Sequence, residues 1–187
     1  MLPYKENNER TPVQPSLAPV FRRAAMSDMS RIIDIFAKSF RGQVPQEELP
    51  NYAGIFVRHM NSLTSQFTVA VKNGRIAGFT IVSSKDNHAY LDVIGIDPAL
   101  QRSGIGKGLM QEAEKTTARF DKPQLAFHVR RDNISGLRFY NRLGYTAIAL
   151  KPGFYEWDGM DAVIMTKPVA AQTQDNGPRP AIQTFRR

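Results

Sequence analysis

The chain has 187 residues and no cysteine; 42% of it is hydrophobic, with 11 Phe, 6 Tyr and one Trp. That supply of apolar side chains suits one packed domain and excludes a wholly disordered chain, while the missing thiols exclude a disulfide scaffold, a thiolate zinc site and a cysteine thioester intermediate. The formal charge of +8 admits an anionic partner such as nucleic acid, a membrane surface or a polyanionic cofactor without choosing among them.

Residues 1–18 carry Pro3, Pro12 and Pro15 among polar neighbours and read as a flexible, neutral tail. Met1 to Arg10 lacks the apolar core of a signal peptide, and no apolar run approaches the ~20 residues of a membrane span, so a soluble, cytoplasmic protein is expected. Residues 169–187, with Pro178 and Pro180, read as a second tail of charge +2, which leaves +6 of the +8 on a single folded domain at 19–168.

Val20 to Ala25 reads as a strand, followed by a helix capped by Ser27 or Asp28 with Met29, Ile32, Ile33, Ile35 and Phe36 at helical spacing. A second helix or helix pair is expected from Pro45 to Asn61, interrupted near Pro50. Phe67–Val71 and Ile76–Ser83 form a strand pair around the hairpin signal Asn73-Gly74, and Ala89–Ile96 is a further strand. Gly104–Arg119 is helical, Gln124–Val129 a strand, and Asn133–Leu143 a helix stopped by Gly144. Thr146–Leu150 and Ala162–Thr166 are the last strands. This order predicts an α/β (α+β) layer fold, a mixed sheet covered by helices.

The segment from Asp97 to Gly108 joins a strand to a helix. Gly104, Gly106 and Gly108 let the backbone turn and approach a ligand, the first helical amides attract an anion, and Arg102 and Lys107 add positive charge there. A Walker loop needs Gly at position 101, where Gln101 stands, and Ser or Thr at 108, where Gly108 stands; a dinucleotide fingerprint needs Gly in place of Leu109. What fits is Gln/Arg-x-x-Gly-x-Gly/Ala, met by Gln101, Gly104 and Gly106.

Together with the strand end Val93-Ile94-Gly95-Ile96-Asp97-Pro98 and the run from Arg131-Asp132-Asn133 to Tyr140 and Gly144-Tyr145, this loop resembles the GNAT superfamily of acetyl-CoA-dependent N-acyltransferases. The likeness spans about Val20 to Lys167 and is most like the protein N-alpha-acetyltransferase and ribosomal-protein alanine acetyltransferase branch. It implies a largely antiparallel sheet of about seven strands splayed into a V, with about four flanking helices. It also implies acetyl-CoA as cosubstrate. The pyrophosphate would meet Gln101, Arg102, Ser103, Gly104, Ile105, Gly106 and Lys107, and the pantetheine arm the backbone of Ile94, Gly95 and Ile96. Asn133 would meet the cofactor near the arm, or cap the helix it precedes, or both.

Direct transfer to an amine requires the amine to lose a proton and the leaving thiolate to gain one. The resemblance places Tyr140 beside the sulfur as proton donor. It aligns Tyr90 and His128 with a Tyr–His pair that holds a water as base, and an imidazole suits that task near neutral pH. Asp92 shares a strand face with Tyr90 and is a reserve candidate, whereas His59 and His88 are expected at the surface. Three scattered His and no Cys offer no metal cluster. Phe154 and Tyr155 resemble the hairpin that N-terminal acetyltransferases lay over a substrate peptide, while Arg41–Pro45 departs from the peptide-binding loop of that branch. The acceptor expected is a protein or peptide N-terminal amine, with a small-molecule amine as the alternative. A non-catalytic acetyl-CoA sensor is a third reading. Lys and Arg form no basic stripe with interleaved aromatics, so no nucleic-acid partner is expected, and with no run long enough to span a bilayer no membrane partner is expected either. A monomer or homodimer would suit the fold.

Overall fold

The computed structural model describes residues 18–170. Seven strands form one sheet in the order β1-β2-β3-β4-β5-β7-β6, with β1 at Val20–Arg23, β2 at Ser65–Lys72, β3 at Arg75–Ser84, β4 at Ala89–Ile96, β5 at Gln124–Arg130, β6 at Thr146–Tyr155 and β7 at Met160–Pro168. Every pairing is antiparallel except β4 with β5. Four helices flank the sheet: α1 at Met29–Ser39, α2 at Leu49–Met60, α3 at Ile105–Arg119 and α4 at Ile134–Arg142. The expected V-shaped α/β sheet is therefore the observed one. The expected tails fall almost wholly outside the described residues; Val169 still donates to the Pro123 carbonyl at 2.9 Å and packs on the core.

Local chemistry accounts for most boundaries. Asn73 and Gly74 both take positive φ, +50° and +73°, which is the tight hairpin turn between β2 and β3. Pro50 lies in the first turn of α2, where its missing N–H costs nothing, so it opens that helix rather than interrupting it. Asp28 does not cap α1 directly. Its carboxylate accepts from Ala25 N at 2.8 Å and from both terminal nitrogens of Arg22 at 2.6 and 2.9 Å, which fixes the turn between β1 and α1. The last two strands run longer than expected, because pairing continues through a bulge to Tyr155↔Met160 and takes Phe154 and Tyr155 into β6.

Two apolar layers sandwich the sheet. Ile32, Ile35 and Phe36 of α1 and Phe56 of α2 pack with Phe67, Val69, Phe79 and Ile81 on one face. On the other, Ile105, Leu109, Met110 and Ala113 of α3 meet Ala77, Val82, Leu91 and Phe127. Gly78 lets α3 approach this closely. A Cβ there would lie 2.8 Å from the Gly95 carbonyl oxygen and 3.1 Å from Leu109.

Because the nearest obstacle is backbone, Gly78→Ala should destabilise the fold by about 1–3 kcal/mol. Thermal unfolding would read this as a fall in Tm of several degrees; an unchanged Tm would mean that Gly78 is not held this close to Gly95 of β4 and Leu109 of α3.

Candidate active site

The site begins where β4 and β5 part. They pair only at Ala89↔Leu125 and Tyr90↔Ala126, while β4 continues along β3 to Ile96 and β5 along β7 to Arg130. A bulge gives β4 an extra residue at this point, since Ile81 faces Val93 and Val82 faces Leu91, with Asp92 unmatched. Bulges sharpen strand twist, and here the twist carries β4 away from β5. The edge of β4 beyond Tyr90 thus faces a cleft with no partner strand on that side. Its far end is pinned by Ser39 Oγ donating to the Ile96 carbonyl at 2.8 Å and by an Arg31–Asp97 ion pair.

Beyond β4, Asp97 Oδ1 accepts from Ala99 N at 3.0 Å and closes a short turn at Pro98–Leu100. Arg102 and Gly104 then take φ of +60° and +84°, and α3 starts at Ile105. Gly108 N to Gly104 O, at 3.0 Å, opens the helical ladder, so the amides of Ile105, Gly106 and Lys107 precede it and favour an anion. Gln101, Arg102, Ser103, Gly104 and Lys107 are all exposed, and a Cβ on Gly104 would meet nothing within 4 Å. These residues make an open, positively charged cradle suited to a pyrophosphate. Gly108 has another task. A Cβ there would come within 2.2 Å of the Phe21 ring, so this glycine lets α3 pack on β1.

Asn133 caps α4 by accepting from Gly136 N at 2.9 Å. The helix carries Tyr140, half-buried, with its ring 4.6 Å from that of Phe127. Burial raises the Tyr140 hydroxyl pKa, with Tyr155 adding to the effect, and the phenol stays protonated at neutral pH. Among the described residues its hydroxyl has no hydrogen-bond partner.

On the opposite face, the Tyr90 hydroxyl lies 2.5 Å from His128 Nδ1. This is direct contact and leaves no place for a water between them. Phe154 and Tyr155 lie against the imidazole, with ring centroids at 4.5 and 5.7 Å. Burial, then the nearby Lys151 charge, lowers the His128 pKa; burial raises that of Tyr90 to about 12. A neutral imidazole therefore accepts from a protonated phenol.

The histidines expected at the surface lie deeper. His88 is half-buried with its ring 6.0 Å from Tyr90. His59 Nδ1 is 3.0 Å from Ser65 Oγ, which is 3.3 Å from Ser83 Oγ, which donates to Asp92. Burial raises the Asp92 pKa, and the reserve candidate is the end of a polar chain running beneath the cleft. Two serines at facing positions of adjacent core strands were its only trace in the sequence.

A family model for the acetyltransferase (GNAT) family matches residues 29–145. An uncharacterised N-acetyltransferase of Methanocaldococcus jannaschii is 24% identical over 149 residues, 79% of this chain and 90% of the relative. The ribosomal protein bS18-alanine N-acetyltransferase of Escherichia coli K12 is 30% identical over 101 residues, 53% of this chain and 68% of the relative. Among solved structures, the ribosomal-protein-S18-alanine N-acetyltransferase of E. coli aligns with a TM-score of 0.67 at 21% identity, over 87% of this chain and 100% of its own. Ard1 of Thermoplasma volcanium aligns with a TM-score of 0.71 at 21% identity, over 82% and 99%. At these identities the solved structures speak to the fold.

His128 should titrate below its ordinary 6.5, because both burial and Lys151 disfavour the charged ring. Its neutral form then predominates at pH 7 and is lost as pH falls through the lowered pKa. Ring-proton NMR across pH 4–8 measures this, and a midpoint above 6.5 would contradict the burial described.

Proposed function

The chain belongs to the acetyltransferase (GNAT) family, and from that premise we propose that it is an acetyl-CoA-dependent N-acetyltransferase whose acceptor is the N-terminal amine of a protein or peptide. The observation that carries this reading is the Tyr90–His128 hydrogen bond, covered by Phe154 and Tyr155, beside the gap where β4 and β5 part. The likeness to the bS18-alanine N-acetyltransferase supports the choice of acceptor.

Acetyl-CoA supplies the acetyl thioester, whose C–S bond breaks as the acceptor nitrogen bonds to its carbonyl carbon. The α3 amides, Arg102 and Lys107 hold the pyrophosphate, and the free edge of Ile94–Ile96 aligns the arm in the cleft. Tyr90 Oη takes the acceptor's proton and passes its own to His128 Nδ1. Tyr140 gives its proton to the departing sulfur from the other side of the sheet. Phe154 and Tyr155 keep water from the imidazole and form a wall for the acceptor.

Incubation with acetyl-CoA and a library of peptides, beside a panel of polyamines and aminoglycosides, tests the acceptor by product mass. Acetylation of peptide α-amines is expected. Modification confined to the small amines would replace the peptide reading, and tight CoA binding with no turnover on any amine would leave a sensor. Tyr140→Phe and His128→Ala should each lower kcat by about 10²–10⁴-fold, the usual range for a positioned acid or base. Acetyl-CoA binding, followed by calorimetry, should be unchanged in both; full activity in either variant would remove that residue from the mechanism.

A further inference from the structure

Two residues beyond His128 on the same strand stands Arg130, so both side chains leave β5 on the acceptor face. Its side chain is only 9% exposed. Nε and Nη2 donate to the two carboxylate oxygens of Asp132 at 3.1 and 3.0 Å. Nη1 lies 2.8 Å from Asp158 Oδ2 as an ion pair, although the angle is not that of a directed hydrogen bond. The guanidinium also sits 5.0 Å from the centroid of the Tyr155 ring. Asp158 belongs to the turn joining β6 to β7, and Asp132 immediately precedes the Asn133 cap of α4.

One buried cation therefore ties three parts together: the hairpin turn, the aromatic wall and the start of α4. β6 is also held by its ladder with β7 and by Asp158 N and Gly159 N donating to the Tyr155 carbonyl at 3.3 and 2.8 Å, but these bonds fix backbone and not the aromatic side chains. All its residues except Tyr155 are exposed, and its register slips between Lys151 and Tyr155. Nearby, Asp161 accepts from Gly153 N at 3.0 Å and from Arg131 at 2.9 Å, but Arg131 is 62% exposed and so holds the strand more weakly.

We infer that Arg130 is a positioning residue for the acceptor: by clamping Asp158 it holds Phe154 and Tyr155 over His128, and by clamping Asp132 it registers that wall against the donor side of the site. The inference rests on the reading of this hairpin as the acceptor wall. Lysine would not replace arginine here, because a single ammonium cannot engage one carboxylate in a two-bond fork and reach a second.

Trp157, the only tryptophan in the chain, stands next to Asp158 in the same turn, with its ring 5.2 Å from that of Tyr155. Its fluorescence reports on the hairpin with no acceptor present. Asp158→Asn changes a partly exposed residue and spares the core. It should shift Trp157 emission to the red and increase acrylamide quenching, with little change in Tm. It should also raise the acceptor KM about tenfold, a coupling of the size expected within one ion-pair network, with kcat and the acetyl-CoA KM held. Arg130→Lys should show the same pattern. Unchanged quenching in Asp158→Asn would overturn the clamp. A change in kcat or acetyl-CoA KM in place of acceptor KM, on whichever amine turns over, would overturn its assignment to the acceptor wall. If no peptide is acetylated, the peptide reading fails by itself, because the Trp157 measurement decides the clamp without any acceptor.

Discussion

The parting of β4 from β5 is the constraint on which the rest of the site depends. A parallel pair in the middle of a sheet normally satisfies backbone groups along its whole length, yet here it ends after Tyr90↔Ala126. Each strand is held by its other neighbour, so the sheet opens without coming apart. The cause lies in the chain itself. Asp92, a poor strand former, occupies the bulge of β4, and its carboxylate is occupied by Ser83 of the adjoining strand. Buried backbone groups need partners, and a cleft lined by a free strand edge presents them in a straight row. An extended ligand with amides of its own matches that row better than a compact one.

The same opening divides the proposed proton donor and the proposed base between two faces. Tyr140 reaches the sheet from α4 on the side covered by α3, whereas Tyr90 and His128 face the side of α1, α2 and the β6–β7 hairpin. Burial acts on both faces in directions that suit their proposed tasks. It keeps the Tyr140 phenol protonated and able to donate, and it keeps the His128 imidazole neutral and able to accept. A phenol held at a pKa of about 12 would be a poor base alone. In the proposed transfer, Tyr90, bonded to His128 at 2.5 Å, need not carry a full negative charge, because its own proton would leave as another arrives.

Features with a local cause were legible in the sequence. Asn73-Gly74 dictates its turn from two residues, and the amphipathic spacing of α1 and α3 dictates which faces meet the sheet. The start of α3 follows from Gly104 at positive φ. What the sequence concealed were the features decided by neighbours distant along the chain. The three glycines of the loop look alike in a string, yet Gly104 faces open space and Gly108 faces the ring of Phe21, some 87 positions earlier in the chain. Pro50 resembles a break until its position in the first turn of α2 is known. His59 has no polar neighbour in sequence that reveals the chain through Ser65 and Ser83 to Asp92.

Arg130 belongs to the same class of concealed residue, and it separates two ways of building an active site. Tyr90 and His128 are placed by the sheet, where register alone brings them together. The hairpin residues are placed less firmly that way, because β6 is an exposed edge strand whose register slips before Tyr155 pairs with Met160. A contact outside the ladder can add to that hold, and a buried guanidinium with two carboxylates suits the task because its charge is costly to leave unpaired. The arrangement is also local: losing the Arg130–Asp158 pair would loosen the turn and leave the β5–β7 ladder intact. On the proposed reading, the donor half of the site rests on sheet and helix termini, and the acceptor half leans on one ion-pair network. The loop at Gln101–Gly108 and the β6–β7 hairpin share no residue, and the loop is for that reason silent about the amine.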